Sequence, residues 1–176
     1  MPLLKNNAFV TDDWVHLDDD APVEDQARIT VSFARLQRDW DSLANFTGLL
    51  GARLPNTVRE HDLTPYVPQL ALIVLSFPAF SDGRAYSLAR QLRLDGFQQE
   101  LRASGNILPD QLQFMRQVGI DSFEITERFP LEAWQKASRQ MSLAYQRGLY
   151  RKAGEREVWS ERHQGFAPWE EQPHAG

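Results

Sequence analysis

The chain contains no cysteine among its 176 residues. Structural disulfides, cysteine-ligated iron–sulfur clusters, thiolate nucleophiles and redox dithiols are therefore excluded from it. A redox role would have to take its chemistry from a cofactor or a partner. The four histidines, His16, His61, His163 and His174, are scattered at spacings that do not resemble a zinc site. We therefore expect no metal site.

Long apolar runs and an export signal are also missing. The longest apolar stretch runs from Leu70 to Phe80 with Ser76 interrupting it, whereas a membrane-spanning helix needs roughly 20 residues. The first seven residues, MPLLKNN, lack the basic start and apolar centre of an export signal. The sequence therefore predicts a cytoplasmic protein that does not cross a membrane.

The chain has no excess of positive charge and no common cofactor motif. It carries 19 basic and 24 acidic residues, a formal net charge of −5, which provides no field that attracts a polyanion. We expect no nucleic-acid partner. The patterns G-x-G-x-x-G, G-x-x-x-x-G-K-[ST] and G-x-S-x-G are absent, which lowers the odds of a self-contained dinucleotide, nucleoside triphosphate or esterase site. We expect no bound cofactor.

What the sequence does contain is a repeat of strand and helix patterns. Apolar, β-branched segments begin near residues 29, 49, 70, 97 and 122, and helical apolar spacing follows them. Units of this length favour parallel strands joined by right-handed crossovers. The prediction is a single α/β domain of about five βα units with a mainly parallel sheet flanked by helices. An open three-layer sandwich and an incomplete βα barrel both fit this pattern.

Local patterns refine this prediction. The strand from Leu70 to Ser76 is apolar on both alternating faces, which is typical of a central strand covered by helices on both sides. Gly119 can end a helix as a left-handed cap. Residues before about Ala27 predict a hairpin or an edge strand. A helix after residue 83 has a core face and carries three arginines on its other faces, namely Arg84, Arg90 and Arg93.

We place the α/β domain at residues 1–147 and a tail at residues 148–176. Two interpretations of the tail compete. It is an extended arm that is partly disordered in isolation, or its aromatic residues Trp159, Phe166 and Trp169 dock against a partner or a second copy of the chain in a homodimer.

The candidate site lies where polar residues follow the third and fourth strands. In parallel sheets, ligands bind beyond the carboxyl ends of the strands. Asp82, Gly83 and Arg84 can form a tight turn that presents helix-start amides and a guanidinium to an anion. The alternative is that Asp82 or Ser81 caps the helix and that Arg84 is a surface residue or the ion-pair partner of Asp82.

Further candidate residues flank this turn. Tyr86 and Ser87 suit acid–base chemistry, and they equally suit packing and surface positions on the helix. Arg102 alternates with apolar residues in the fourth strand, so it needs a carboxylate partner, for which the candidates are Glu100, Asp82 and Glu124. Both a structural ion pair and an anion-binding arginine fit Arg102. Asn106 and Asp110 can cap the next helix.

Three segments around these residues resemble a bacterial family of uncharacterised proteins, labelled as oxidoreductases of sulfite reduction and encoded near assimilatory sulfite reductase. The segments are FSDGRAYSLARQLR from residue 80, ELRASGNILPDQL from residue 100 and GIDSFE from residue 119. The resemblance covers residues 1–147. The chain departs from the family pattern at Asn106, where aspartate is usual, at Gln99, where glycine is usual, and at Val118, where cysteine is common.

The resemblance implies a cytoplasmic accessory role in assimilatory sulfite reduction, and hence in sulfur assimilation and cysteine biosynthesis, with sulfite reductase as the partner. Asn106 brings any catalytic carboxylate at that position into question, and Val118 argues against thiol chemistry there. An alternative function is an enzyme that acts on a small anionic substrate at the carboxyl ends of the strands. Both hypotheses use the same anion- or partner-binding residues, namely Asp82, Gly83, Arg84, Tyr86, Ser87, Arg90, Arg102, Asn106 and Asp110.

Overall fold

A computed structural model of the chain describes residues 2–23, 26–139, 143–144 and 156–157. The strands are β1 (Leu3–Lys5), β2 (Ala8–Val10), β3 (Val15–His16), β4 (Arg28–Ser32), β5 (Leu49–Leu54), β6 (Leu70–Phe77), β7 (Glu100–Gly105), β8 (Ser122–Glu124), β9 (Leu143–Ala144) and β10 (Arg156–Glu157). The helices are α1 (Phe33–Arg38), α2 (Trp40–Leu43), α3 (Glu60–Leu63), α4 (Arg84–Leu94), α5 (Leu112–Gln117) and α6 (Leu131–Arg139). Strands β9 and β10 pair in parallel, apart from the main sheet.

Eight strands form one mostly parallel sheet in the order β2-β1-β8-β7-β6-β5-β4-β3. The five strands β4 to β8 are parallel neighbours, and each is followed by helical structure. The predicted α/β class and its mainly parallel sheet are confirmed. The predicted N-terminal hairpin is also found, because β1 and β2 pair antiparallel at one edge and β3 adds a parallel strand at the other.

The sheet is curled into a half-barrel, and the length of one connection shows why. Strands β2 and β3 are the two edges of the sheet, yet residues 11–14 alone join them. In a flat sheet of eight strands the edges lie roughly 34 Å apart, since neighbouring strands are about 4.8 Å apart. Five Cα steps reach at most about 19 Å. The sheet must therefore curve until its edges approach each other. Residues 11–14 are called the strap below.

The helices cover the convex face of the sheet. One hydrophobic cluster unites side chains from all six helices with one alternate set of strand residues, which includes Ile73, Leu75 and Phe77 of β6. Leu72 and Val74 are buried too but lie outside this cluster. Among the described residues, helices are thus found on one face of β6 and not, as had been expected, on both. The incomplete barrel is the predicted alternative that fits the curled sheet, and the strap lies at its concave face.

Helix α4 follows the predicted pattern, because Ala85, Leu88, Ala89 and Leu92 are buried. Helices α4 and α5 are each followed, two positions after their last residue, by a glycine with positive φ, Gly96 at 91° and Gly119 at 99°. At each end the amide of this glycine and the amide of the next residue donate to carbonyls in the last turn of the helix, as in a Schellman motif. The predicted left-handed cap at Gly119 is confirmed.

No helix in the described part of the chain has the length and apolar character needed to cross a membrane. The predicted aromatic anchors of the tail, Trp159, Phe166 and Trp169, lie outside the described residues.

Candidate functional site

The loops that follow β6 and β7 leave the sheet at the same end, because the two strands are parallel neighbours paired from Leu72–Glu100 to Phe77–Gly105. The backbone amide of Asn106 donates to the carbonyl of Phe77 at 2.7 Å. The Gln111 side chain donates to the carbonyl of Phe80 at 2.8 Å. The two loops that were predicted to share a rim therefore touch each other there.

Asp82 and Arg84 form an ion pair at the start of α4. One carboxylate oxygen of Asp82 accepts from the backbone amide of Arg84 at 3.1 Å and from its Nε at 3.0 Å. The other oxygen accepts from Arg84 Nη2 at 2.7 Å and from the Asn56 amide. The hydrogen bond from the Arg84 guanidinium holds the pKa of Asp82 well below its usual range, and the same bond raises the pKa of Arg84. Asp82 therefore stays ionised and fully engaged.

An open groove of about 630 Å³ lies beside this ion pair. One wall is the loop from Asn56 to Glu60, and the other is the stripe of α4 that carries Arg84, Ser87 and Gln91. Both arginines of the groove, Arg84 and Arg59, are exposed. Most of the residues along the groove have polar side chains, and the groove is open to solvent, which suits contact with another molecule more than enclosed chemistry.

Tyr86 faces away from this groove into an aromatic group. Its ring lies 5.1 Å from that of Phe77 and 4.9 Å from that of Phe114, measured between ring centroids. Its buried hydroxyl has no hydrogen-bond partner among the described residues. Burial, together with the nearby charge of Asp110, raises the pKa of Tyr86. Tyr86 therefore keeps its proton at neutral pH, and its ring packs against Phe77 and Phe114.

The remaining predicted rim residues are placed separately. Ser87 and Arg90 are exposed on α4, and Asp110 is exposed in the turn before α5. Asn106 accepts a hydrogen bond at 2.8 Å from the guanidinium of Arg128, a residue that the sequence did not single out. Gly83 stands at the N-cap of α4 with an ordinary φ of −78°, so its conformation does not require glycine.

Arg102 lies apart from the rim, because its side chain projects from the middle of β7 onto the concave face. Its Nη1 donates to Asp12 of the strap at 2.7 Å, and its Nε and Nη2 donate to Glu100 at 3.2 and 3.0 Å. Glu124 lies 3.6 Å away. Two of its three predicted carboxylate partners are therefore found, whereas Asp82 pairs with Arg84. Asp12 was not predicted.

Arg102 belongs to a network of charges that spans the concave face, called the concave cluster here. Arg53 on β5 makes a two-pronged pair with Glu124 on β8, at 2.8 and 3.2 Å. Lys5 on β1 donates to Glu100 at 2.5 Å. Ser104 and Ser122 donate to Glu124 and Glu100. The six charged members of the cluster are Lys5, Asp12, Arg53, Glu100, Arg102 and Glu124.

The electrostatics of this cluster depend on mutual pairing. Burial alone would raise the pKa of Glu100, but hydrogen bonds from Lys5 and Ser122 and the charge of Arg102 outweigh it and lower that pKa. Burial alone would lower the pKa of Arg102, but the bond to Asp12 and the charges of Glu100 and Asp12 raise it. Both groups are therefore ionised at neutral pH. Among the described residues no group of three metal-binding side chains is placed to hold a metal ion.

Sequence reasoning missed Arg53, Lys5 and Asp12 in this cluster. Arg53 had a usable signal, because it is a lone charge in the apolar strand LLGARL, just as Arg102 is in β7. Lys5 and Asp12 had none, since their partners lie 95 and 90 residues away in the chain.

A comparison of the sequence with models of protein families matches the larger part of the chain to one family. A model of a bacterial protein family of unknown function, DUF934, matches residues 51–154. The match covers more than half of the chain. The chain belongs to the DUF934 family. The DUF934 match begins at residue 51, later than the resemblance noted from the sequence, and runs past residue 147. It includes the rim residues and four of the six members of the concave cluster, while Lys5 and Asp12 lie before it. No curated protein matches the chain.

Proposed function

We propose that this DUF934 protein is a cytoplasmic accessory protein of assimilatory sulfite reduction that docks to sulfite reductase. The surface that makes this contact is the exposed side of α4 with the aromatic residues that flank it. We call it the α4 surface, and its residues are Phe80, Arg84, Ser87, Arg90 and Phe114. The reductase enters the proposal through the resemblance of the segments at residues 80, 100 and 119.

One observation carries the proposal. The segment with the most extensive resemblance, residues 80–93, presents several of its polar and aromatic side chains to solvent rather than to an enclosed pocket. Phe80 is 47% exposed, and Arg84, Ser87 and Arg90 are exposed as well. Phe114 lies outside this segment but packs against its Tyr86 and is 54% exposed. Aromatic residues and arginine are enriched at protein–protein interfaces. A docking role explains why such side chains are held at the surface.

The enzyme hypothesis draws less support from the same geometry. The hypothesis needs a carboxylate such as Asp82 or Asp110 as its acid or base. Asp82 has both oxygens engaged by Arg84 and Asn56, and its pKa is held well below the usual range. A base with so low a pKa removes protons poorly at neutral pH. Arg102 is surrounded by three carboxylates. A small anion would therefore have to displace internal partners before either arginine could bind it.

The test is complementation in a bacterium that lacks its own copy of the gene. We expect poor growth on sulfate as the sole sulfur source, normal growth on cysteine, and rescue by the wild-type chain. Arg84→Ala combined with Arg90→Ala should fail to rescue and should lose co-purification with sulfite reductase. Arg28→Ala is the matched control, because Arg28 is another exposed arginine paired with one carboxylate, Asp13, but at the opposite end of the strands.

Two results would overturn the proposal. The first is normal sulfite reduction in a clean deletion strain. The second is full rescue by the double variant with the reductase still bound. A further outcome is that the α4 surface joins two copies of this chain instead of binding the reductase. Size-exclusion chromatography of the purified proteins would then show a dimer for the wild type and a monomer for the double variant.

A further inference from the structure

We propose that the concave face of the half-barrel is a binding site for a small carboxylate ligand, and that Asp12 of the strap occupies this site as a built-in substitute. The proposal concerns a different face from the α4 surface and does not depend on the sulfite reductase hypothesis.

The first support is the balance of charge. Three cations and three carboxylates meet in the concave cluster. Arg53 pairs with Glu124 and Lys5 pairs with Glu100, while Arg102 shares those two carboxylates and has Asp12 as its own partner. Without Asp12 the cluster would hold one surplus positive charge, located on a guanidinium that is 2% exposed. A buried charge of this kind needs an anionic partner.

The second support is the way Asp12 is held. The sheet itself provides two carboxylates near Arg102, Glu100 from the same strand β7 and Glu124 from the neighbouring strand β8. Asp12 comes instead from the strap, a four-residue connection. Within the described residues the strap makes no backbone-to-backbone hydrogen bond. Within the strap, Asp12 Oδ1 accepts from the backbone amide of Trp14 at 3.3 Å, and Trp14 is partly buried. The strap also contacts the sheet through the exposed pair of Asp13 with Arg28, whose charged atoms lie 3.4 Å apart.

The third support is a hydrogen-bond donor on an arginine of the concave cluster. Arg53 Nε is buried and has no hydrogen-bond partner among the described residues. Buried donors in folded proteins are nearly always satisfied, by protein, water or ligand. The site is also reachable, because the side chains of Lys5, Asp12 and Arg53 are each about a quarter to two-fifths exposed. A small anion can therefore reach the cluster once the strap lifts.

The ligand class follows from what Asp12 already does. Its Oδ2 accepts from Arg102 Nη1 at 2.7 Å, which is the usual length of a charge-assisted bond between a guanidinium and a carboxylate. A ligand carboxylate can make the same bond while the strap moves away. The surplus of one positive charge matches a monocarboxylate group, and larger carboxylates would extend from this group towards solvent.

The experiment measures thermal unfolding of full-length variants in sodium formate and in sodium chloride of equal ionic strength. Asp12→Ala opens the space, and formate is small enough to fill it. We expect formate to raise the Tm of Asp12→Ala by about 2–4 °C over chloride, from the stabilisation that a bound ligand gives the folded state. Two controls should show no such difference. Asp12→Asn keeps the space filled, and Asp13→Ala removes the neighbouring exposed carboxylate of the strap.

Titration of the wild type by calorimetry then tests displacement. A tethered carboxylate competes with formate at an effective concentration of the order of millimolar. We expect saturable binding to the wild type at about tenfold to hundredfold higher formate than to Asp12→Ala. Equal affinity for both proteins would overturn the proposal, because formate would then bind elsewhere. Absence of binding to the wild type, or of any formate effect on Asp12→Ala, would overturn it as well and make Asp12 a fixed structural partner.

Discussion

Gly105 at the end of β7 shows how one residue sets the geometry of the rim. Its φ is +100°, and a Cβ placed on it would lie 2.6 Å from the carbonyl oxygen of Phe77. That same carbonyl accepts the amide of Asn106. The close approach of the two loops therefore requires a residue without a side chain, both for its backbone conformation and for space.

Replacing Gly105 by alanine should lower the free energy of unfolding by about 3 kcal/mol or more, because strain and a backbone clash add. Two other glycines separate these causes. Gly96 has a positive φ but no atom within 4 Å of its added Cβ, so Gly96→Ala should cost about 1 kcal/mol. Gly83 has neither problem, and Gly83→Ala should stay within about 0.5 kcal/mol. Urea unfolding measures all three, and an equal loss at Gly96 and Gly105 would contradict the clash.

Arg93 is a second single residue on which the structure depends. The sequence placed it on an outer face of α4, yet it is 6% exposed. Its guanidinium donates to the carbonyls of Gly119, Phe97 and Gln99 and to the carboxylate of Asp121. It therefore joins the ends of α4 and α5 to the start of β7.

Arg93→Lys should lower the free energy of unfolding by about 2–3 kcal/mol, since one ammonium cannot reach four acceptors fixed by a planar guanidinium. Arg90→Lys, three residues earlier on the exposed side of the same helix, should change it by less than about 0.5 kcal/mol. Chemical denaturation of both variants tests this. Similar values for the two would show that the buried contacts of Arg93 contribute little.

At the scale of elements, the first turn of α4 depends on Asp82. Its carboxylate accepts the amide of Arg84 and ties the loop at Asn56 to the helix. Asp82→Ala should therefore increase amide hydrogen exchange severalfold in the first turn of α4 and in the loop at Asn56, while exchange in α6 stays unchanged. Ser81→Ala, a neighbouring exposed residue, is the control. Unchanged hydrogen exchange at residues 84–87 in Asp82→Ala would show that Asp82 does not stabilise the first turn of α4.

The elements themselves follow from local sequence. Strands β4, β5, β6 and β8 begin within a residue of the predicted starts, because short apolar runs bounded by polar residues are a local signal. Strand β7 begins at Glu100 rather than near residue 97, since Phe97 still belongs to the Schellman end of α4. The pairing of Asp82 with Arg84 is equally local.

The concave face was beyond local reasoning. Arg102 could be assigned a carboxylate from its apolar surroundings, and Glu100 and Glu124 were correctly named as candidates. The curl of the sheet, however, places Arg53 against Glu124, 71 residues away, and brings the strap to Arg102 across 90 residues. Neither contact can be predicted from residue spacing or composition, because both contacts depend on how strongly the whole sheet curves.

For the whole molecule, the concave cluster joins strands that are not neighbours. Arg53 and Glu124 stand on β5 and β8, three strand positions apart, and their side chains meet over β6 and β7. Three spacings in a flat sheet amount to about 14 Å, which two side chains bridge more easily when the sheet curves. The charged face therefore favours the curled shape over a flat one, and the strap closes the same curve at its edges.

The cluster should make the stability of the whole molecule depend on acid. The pKa of Glu100 is lowered from 4.5 in the folded protein, so the unfolded chain binds more protons, and the contribution of Glu100 is lost as pH falls below about 4.5. Glu100→Gln should be about 2 kcal/mol less stable at pH 7, because it leaves Arg102 short of a partner. That difference should shrink between pH 4.5 and pH 3.

Glu132→Gln, on the exposed side of α6, should match the wild type within about 0.5 kcal/mol throughout. Urea unfolding across this pH range tests the argument, and a difference that stays constant down to pH 3 would show that the cluster does not lower the pKa of Glu100.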